Sequence, residues 1–382
     1  MILPRLLEKP LLKSQKSILL LGPRQTGKST LIRSLQPDIS FNLADEETFL
    51  QFAQDPGLLR NILAKKKNSE VFIDEVQRLP KLLNTIQALI DETPRPPRFL
   101  LTGSSARKLR RGKANLLPGR IHSFELGPLT ASELGYQADL DSALSTGFLP
   151  GIYLDAEMSE RKKTLRSYAA TYLKEEIQSE ALTRNLEGFA RFLKIAGASS
   201  GHFTDMTRLA SEAGINRVTA GRFFEILEDT LIFNTCEPFA KSERKRLVQH
   251  PKRYAFDCGI LNALLSNFQP SADRKGPLFE NLIFNQIRIA AAARDLECRI
   301  STYRTENHAE IDFIVELEGK VFAIEAKASA NLGASDLRGF QSFRNFYAKP
   351  HTPMIFYTGV HSQRIHEVDA FPWQEGLKEM GL

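Results

Sequence analysis

The sequence predicts an α/β protein with a parallel sheet at its N-terminus, a helical middle and a second α/β domain at its C-terminus. Three observations predict this. Short continuous apolar runs at 17–21 (SILLL), 70–74 (EVFID) and 98–101 (RFLL) alternate with helical patterns, as in a parallel sheet covered on both faces. A glycine-bearing turn joins the first run to a helix that begins STLIRSL. From about residue 252, helix and strand patterns alternate again.

A chain of 382 residues has room for two or three domains, and 42% apolar with 25% charged residues gives each an ordinary core. We divide it into a sheet domain over 1–128, a helical lid or linker over 129–200, a winged helix-turn-helix over 201–245 and an α/β domain over 246–382. Residues 94–97 (PRPP) are a loop, and 130–133 (TASE) form a capping box that should start a helix. The pattern over 157–200 is helical throughout. Residues 206–213 and 217–229 read as two helices around a Gly214-Ile-Asn216 turn, with Phe223, Ile226 and Leu227 as the apolar stripe of the second. The following LIFNTCEPF suits a strand of a wing. Further on, a helix over 278–293 precedes strands at 310–316 and 321–327, joined by Leu317-Glu-Gly319, and another strand lies at 353–358.

Composition excludes several classes. No stretch approaches the ~20 apolar residues of a membrane span. The N-terminal MILPRLLEKPLLKSQK is broken by charge, so a cytoplasmic location without a membrane role is expected. Cys236, Cys258 and Cys298 form no CxxC pair, which leaves neither a disulfide frame nor a zinc site. The net charge of +6 is concentrated in two runs. Residues 107–120 hold six basic residues and no acid, and 241–253 hold six with only Glu243 opposing them. Each run reads either as solvated surface or as a contact for a polyanion.

The residues Gly22, Pro23, Arg24, Gln25, Thr26, Gly27, Lys28 and Ser29 fit G-x-x-x-x-G-K-[ST], with Thr30 following. The motif sits between a strand and a helix. Its glycines let backbone N–H groups surround phosphates, and the helix N-terminus adds positive potential. Lys28 then reaches the β- and γ-phosphates of ATP, and the Ser29 hydroxyl ligates Mg²⁺. The strand VFID delivers Asp74 to the same Mg²⁺, with Glu75 placed to orient or deprotonate the attacking water.

These elements resemble the AAA+ ATPases. The resemblance makes Ser104, in Thr102-Gly-Ser104-Ser105 after the strand RFLL, the sensor residue, with Thr102 second. It makes Arg120, in LPGR, an arginine finger for a neighbouring subunit, and so implies a homo-oligomer, commonly a hexamer in that superfamily. A surface salt bridge or a DNA contact is the other reading of Arg120. Arg161 and Arg166 are the candidates for a lid arginine.

In the C-terminal domain, Glu280 on a helix, Asp312 on a strand and Glu325-Ala-Lys327 on the next strand form a quartet. Residues two apart share a face, and a hairpin brings Asp312 beside them. Such carboxylates and a lysine suit Mg²⁺ and a positioned water. The quartet resembles the restriction-endonuclease-like PD-(D/E)xK superfamily, which implies Asp312 and Glu325 as metal ligands with Glu280 and Lys327 beside them, and Gln341 as a further site residue. Surface salt bridges, or a nuclease fold that binds without cutting, are the competing readings. Over roughly 1–380 the chain resembles a widespread prokaryotic family that joins an AAA domain beginning GPRQ-x-GK to a nuclease-like domain of unknown function.

A winged helix puts the start of its second helix into the major groove, so Arg217, Thr219 and Arg222 are the candidate base-reading residues. Arg244, Lys245 and Arg246, in or just beyond the wing, would neutralise phosphates. Packing or protein contact is the alternative for this segment. Together these readings point to an ATP-driven DNA-processing protein. An ATP-gated regulator and an ATPase acting on protein partners are the alternatives.

Overall fold

The computed structural model describes residues 3–64, 69–105, 117–155, 157–179, 186–239 and 250–382. They fall into two compact units. One comprises Met1–Gly127 with Asp229–Leu231 and Ala292–Asp295; the other comprises Pro128–Glu228, Ile232–Ala291 and Leu296–Leu382.

The first unit is built on five strands: β1 (Ser17–Leu21), β2 (Ile39–Asn42), β3 (Glu70–Asp74), β4 (Arg98–Gly103) and β5 (Ile121–Glu125). They pair in parallel in the order β2-β3-β4-β1-β5. The apolar runs are continuous because both faces are covered. Leu19, Val71, Ile73, Phe99 and Leu101 pack with Phe52, Leu59, Leu83 and Ile86 from the helices on one face. Ile18, Leu20, Phe72 and Leu100 pack with Leu11, Leu31 and Ile32 on the other. The edge strand β2 alternates half-buried and exposed residues and β5 buries only Phe124, which is why their patterns are faint in the sequence.

In the second unit the capping box forms but its helix does not. The Thr130 N–H donates to Glu133 Oε2 at 2.9 Å, and the Glu133 N–H donates to Thr130 Oγ1 at 3.2 Å. One turn later Gly135 (φ 65°) and Tyr136 (φ 57°) turn left-handed, and the Tyr136 N–H donates to the Ala131 carbonyl at 2.7 Å, so the turn ends as a helix C-terminus would. Helices then follow at Leu140–Thr146, Pro150–Tyr153, Met158–Ser179, Leu186–Ala198, Met206–Glu212 and Arg217–Asp229. The last two enclose a turn at Gly214 (φ 64°), and Asn216 Oδ1 accepts from the Thr219 N–H at 2.8 Å. Phe223 and Phe224 bury this pair against Phe189 and Phe192 with edge-on ring contacts.

The rest of this unit is a mixed sheet of eight strands: β6 (Phe233–Pro238), β7 (Lys252–Ala255), β8 (Cys298–Arg304), β9 (Glu310–Leu317), β10 (Lys320–Lys327), β11 (Thr352–Tyr357), β12 (Gln363–Ile365) and β13 (Val368–Pro372). Their order is β12-β13-β11-β10-β9-β8-β6-β7. The segment expected as a wing strand is therefore joined to this sheet. β6 pairs antiparallel with β7 and, at its end, parallel with β8. One face packs on Phe340 and Phe343 of the helix Arg338–Phe346. On the other, Tyr254, Phe284 and Phe313 group their rings, with Phe284 from the helix Ala272–Ala293. That helix runs through Pro277 and starts before the expected residue 278. No helix of the described residues is long and apolar enough to cross a membrane.

Candidate functional site

The loop between β1 and the helix Lys28–Ser34 turns through left-handed conformations at Gln25 (φ 64°) and Gly27 (φ 91°). Gly22 is required by close approach, since an added Cβ would lie 2.2 Å from the Leu126 carbonyl oxygen. Thr26 Oγ1 donates to the Pro23 carbonyl at 2.9 Å, and Arg5 clamps the loop by donating to the carbonyls of Thr26 (2.7 Å) and Gly127 (2.9 Å). Arg5 lies outside the motif and has no sequence signal of its own. Arg24 is half-buried, whereas Gln25 and Thr30 are exposed. Lys28 is buried and folds back on its own loop, donating to the Gly22 and Pro23 carbonyls at 2.8 Å each. Burial lowers its pKa to about 8, against the pull of Glu75 and Asp74.

Parallel pairing carries the ends of β3 and β4 to this loop. Ser29 Oγ donates to Asp74 Oδ1 at 2.8 Å, and Arg33 lies 3.6 Å from the other carboxylate oxygen. Thr102 Oγ1 donates to Asp74 and accepts from the Glu75 N–H at 3.2 Å. Glu75 sits left-handed (φ 58°), an uncommon conformation for a non-glycine residue and one seen at functional sites. Its carboxylate accepts from Gln77 Nε2, which also donates to Ser104 Oγ at 3.0 Å; Ser104 Oγ lies 3.4 Å from the same Glu75 oxygen. Gln77 was not legible as a site residue, because a glutamine in a 3₁₀ turn has no motif. The hydroxyl of Ser29 and the carboxylate of Asp74 are the hard oxygen donors that Mg²⁺ takes, and here they fit it. Arg120 is bound to Asp91 of the same chain through Nε–Oδ1 (2.5 Å) and Nη2–Oδ2 (2.9 Å).

The second array lies between β7, β9, β10 and the helix Ala272–Ala293. The structure does bring Glu280, Asp312, Glu325 and Lys327 into one region, together with Lys252, Tyr254 and Glu310. Lys252 Nζ lies 2.8 Å from Glu280 Oε1, 2.7 Å from Glu310 Oε1 and 3.7 Å from Asp312 Oδ1. Tyr254 Oη also donates to Glu280. The other Asp312 oxygen accepts from the Ala326 N–H at 2.9 Å, and Lys327 Nζ pairs with Glu325 at 2.7 Å. Burial raises the Glu280 carboxyl to about 7 despite Lys252, and burial with the nearby Asp312 holds Glu325 well above the usual carboxylate range. Burial disfavours the Lys252 ammonium, but Glu280, Asp312 and Glu310 outweigh it and hold the group charged. Among the described residues no group of three or more His, Cys, Asp or Glu side chains could hold a metal ion. Of the expected Mg²⁺ pair, Asp312 lies between Lys252 and Glu325, and Glu325 is paired with Lys327.

Two members of the second basic run, Lys252 and Arg253, are not solvated surface. Lys252 is 3% exposed, and Arg253 is turned inward onto Glu228 (2.9 Å) and the Phe224 ring (4.4 Å). A charged run reads as surface, but β7 sends these neighbours to opposite faces, where Glu280 and Glu310 hold Lys252 and Glu228 holds Arg253. Arg244, Lys245 and Arg246 lie outside the described residues, as do all of the first run except Arg120. Arg217 and Arg222 are exposed and Thr219 is half-buried. Arg161 lies over the Tyr153 ring and Arg166 over that of Phe268. Gln341 is exposed on the helix Arg338–Phe346.

Residues 14–135 match the profile of an AAA domain family. Residues 137–271 and 275–375 match two domains of unknown function, DUF8612 and DUF4143. The phosphate loop thus lies in a region similar to AAA domains. It is 28% identical over 320 residues to uncharacterized protein Rv2008c of Mycobacterium tuberculosis and to uncharacterized protein Mb2031c of Mycobacterium bovis, covering 82% of this chain and 70% of each relative. Similar solved structures include one of two coordinating Pif1 helicases unwinding forked duplex DNA, at 14% identity and TM-score 0.27, covering 44% of this chain and 52% of that one. Another is a STAND protein with a tetratricopeptide repeat sensor from Pyrococcus horikoshii, at 11% identity and TM-score 0.29, covering 77% of this chain and 48% of that one. The chain spans about half the length of each of these two structures.

Proposed function

We propose that this chain is a Mg²⁺-dependent ATPase that works as a homo-oligomer on DNA in the cytoplasm. The observation that carries the ATPase reading is the Ser29–Asp74 hydrogen bond (2.8 Å) beside a buried Lys28 and a Glu75 held by its neighbours. Lys28 exchanges its two loop carbonyls for the β- and γ-phosphates. Backbone N–H groups of residues 24–30 surround the phosphates, which suits the positive helix N-terminus. Ser29 and Asp74 would hold Mg²⁺, which would supply charge neutralisation at the phosphates. Glu75 orients the attacking water and takes its proton, and Ser104 senses the γ-phosphate. Arg120 leaves Asp91 to complete the site of a neighbouring subunit, in a ring commonly of six.

The exposed Arg217 and Arg222 at the start of the helix Arg217–Asp229 support the DNA reading. A second reading, an ATP-gated regulator whose C-terminal domain binds without cutting, is favoured by Lys252 standing among the carboxylates. ATP turnover measured while duplex, single-stranded and branched DNA are titrated in tests the proposal. Turnover that rises with one form supports DNA processing. Turnover indifferent to every form leaves the ATPase and refutes the DNA-driven cycle in favour of the regulator.

A further inference from the structure

Two of the carboxylates that the sequence groups with the expected metal site, Glu280 and Asp312, already face a cation. Lys252 presents three N–H donors, and the oxygens of Glu280 and Glu310 lie within hydrogen-bond distance of Nζ, with Asp312 Oδ1 next at 3.7 Å. A Mg²⁺ ion that drew Asp312 Oδ1 to ~2.0–2.1 Å would share that oxygen with an ammonium 3.7 Å away. The two cations exclude each other in a region where solvent does not screen them.

The lysine is also fixed in place. Its backbone pairs with Cys236 in β6 and bridges to Phe203, whose ring lies 5.0 Å from Nζ. The neighbouring polar groups are engaged as well. Asp312 Oδ2 accepts from a backbone N–H, Glu325 faces Lys327, and Tyr254 Oη donates to Glu280. The side chain of Lys252 is only 4% exposed, so the ammonium has no route to water that leaves these carboxylates paired.

We propose that Lys252 is the resident cation of this centre, standing where a divalent metal would, and that the C-terminal domain therefore cuts no phosphodiester bond. This goes beyond the nucleotide reading and does not rest on it. The carboxylates serve instead to bind β7, β9 and the helix Ala272–Ala293 together through one buried charge.

The test uses the full chain without nucleotide and Mn²⁺ as the probe, with bound ion counted by electron paramagnetic resonance. Any Mn²⁺ held at the phosphate loop is common to all variants and cancels. The wild type and Asp312→Asn are expected to bind the same number of ions and to leave plasmid DNA intact. Lys252→Met, which keeps the length of the side chain and removes its charge, is expected to gain one Mn²⁺ per chain and to melt higher when Mn²⁺ is added. Adding Asp312→Asn to that variant removes the gained ion. A wild-type ion that disappears in Asp312→Asn, or Mn²⁺-dependent cutting that disappears in it, overturns the proposal. A folded Lys252→Met that gains no ion overturns it too. If Lys252→Met does not fold, the comparison of wild type with Asp312→Asn still decides.

Discussion

Ser29 and Asp74, 45 residues apart in the chain, are joined by a 2.8 Å hydrogen bond from hydroxyl to carboxylate. The bond exists because β1 and β3 flank β4 in parallel register, so that the loop after one strand and the last residue of the other meet at the same end of the sheet. Open parallel sheets bind ligands at this end. Ser29 and Asp74 are the residues that would hold Mg²⁺ at this end of the sheet.

Asp74→Asn keeps the hydrogen bond to Ser29 and removes the charge. It should leave nucleotide binding without metal nearly intact and abolish the tightening that Mg²⁺ brings. Titrating a fluorescent ATP analogue with and without Mg²⁺ separates the two effects. An unchanged Mg²⁺ effect refutes the assignment of Asp74.

Lys28 has its pKa lowered by burial to about 8 from 10.5. Between these values the unfolded chain holds a proton that the folded chain has released, so this residue's contribution to stability rises with pH from about 8 to 10.5. Phosphates favour the ammonium, so ATP binding near pH 9 should take up a proton. Calorimetry in buffers of different ionisation heat should show the uptake in the wild type and none in Lys28→Met. Equal heats in all buffers would remove Lys28 from the phosphates.

Glu75→Gln should bind ATP and lose turnover by ~10²–10⁴-fold, the usual worth of a general base. Gln77→Ala removes the amide that bridges the Glu75 carboxylate and Ser104. Gln77 acts through Glu75, so its removal should lower kcat by up to ~10²-fold through misplacement, with KM little changed. A KM effect without a kcat effect would give Gln77 a different part.

Arg120 and its partner Asp91 separate a surface pair from an arginine finger. A finger is worth ~10³–10⁵-fold in kcat. Arg120→Ala should therefore stop turnover, whereas Asp91→Ala should not. Mixing Arg120→Ala with Lys28→Met subunits should recover part of the activity. Equal, small effects of the two single substitutions would make the pair structural.

Arg217→Ala and Arg222→Ala should weaken DNA binding. Where the arginine neutralises a phosphate, its removal should lower the slope of log affinity against log salt by ~0.9. Binding whose salt dependence is untouched by both substitutions would move the DNA surface elsewhere.

Features whose information is contiguous are legible from the residues alone. The phosphate loop is a run of eight residues whose chemistry lies mostly in the backbone, and its flanking strand and helix follow on local grounds from the apolar run SILLL and the pattern STLIRSL. The quartet around Asp312 is legible for a similar reason, since two-residue spacing on adjacent strands sets a common face. The partners of these residues came from the packing of distant segments. A lysine in a basic run reads as solvated, and nothing near position 252 tells that β7 will set it among carboxylates from a distant helix and strand. The same holds for Gln77, for Asp91 opposite Arg120, and for the capping box at Thr130, which forms its local bonds and then stops at Gly135. Hydrogen bonds between neighbours in the chain are legible in advance. The sign and place of a buried charge depend on which distant groups share its cavity, because only together do they repay its loss of water.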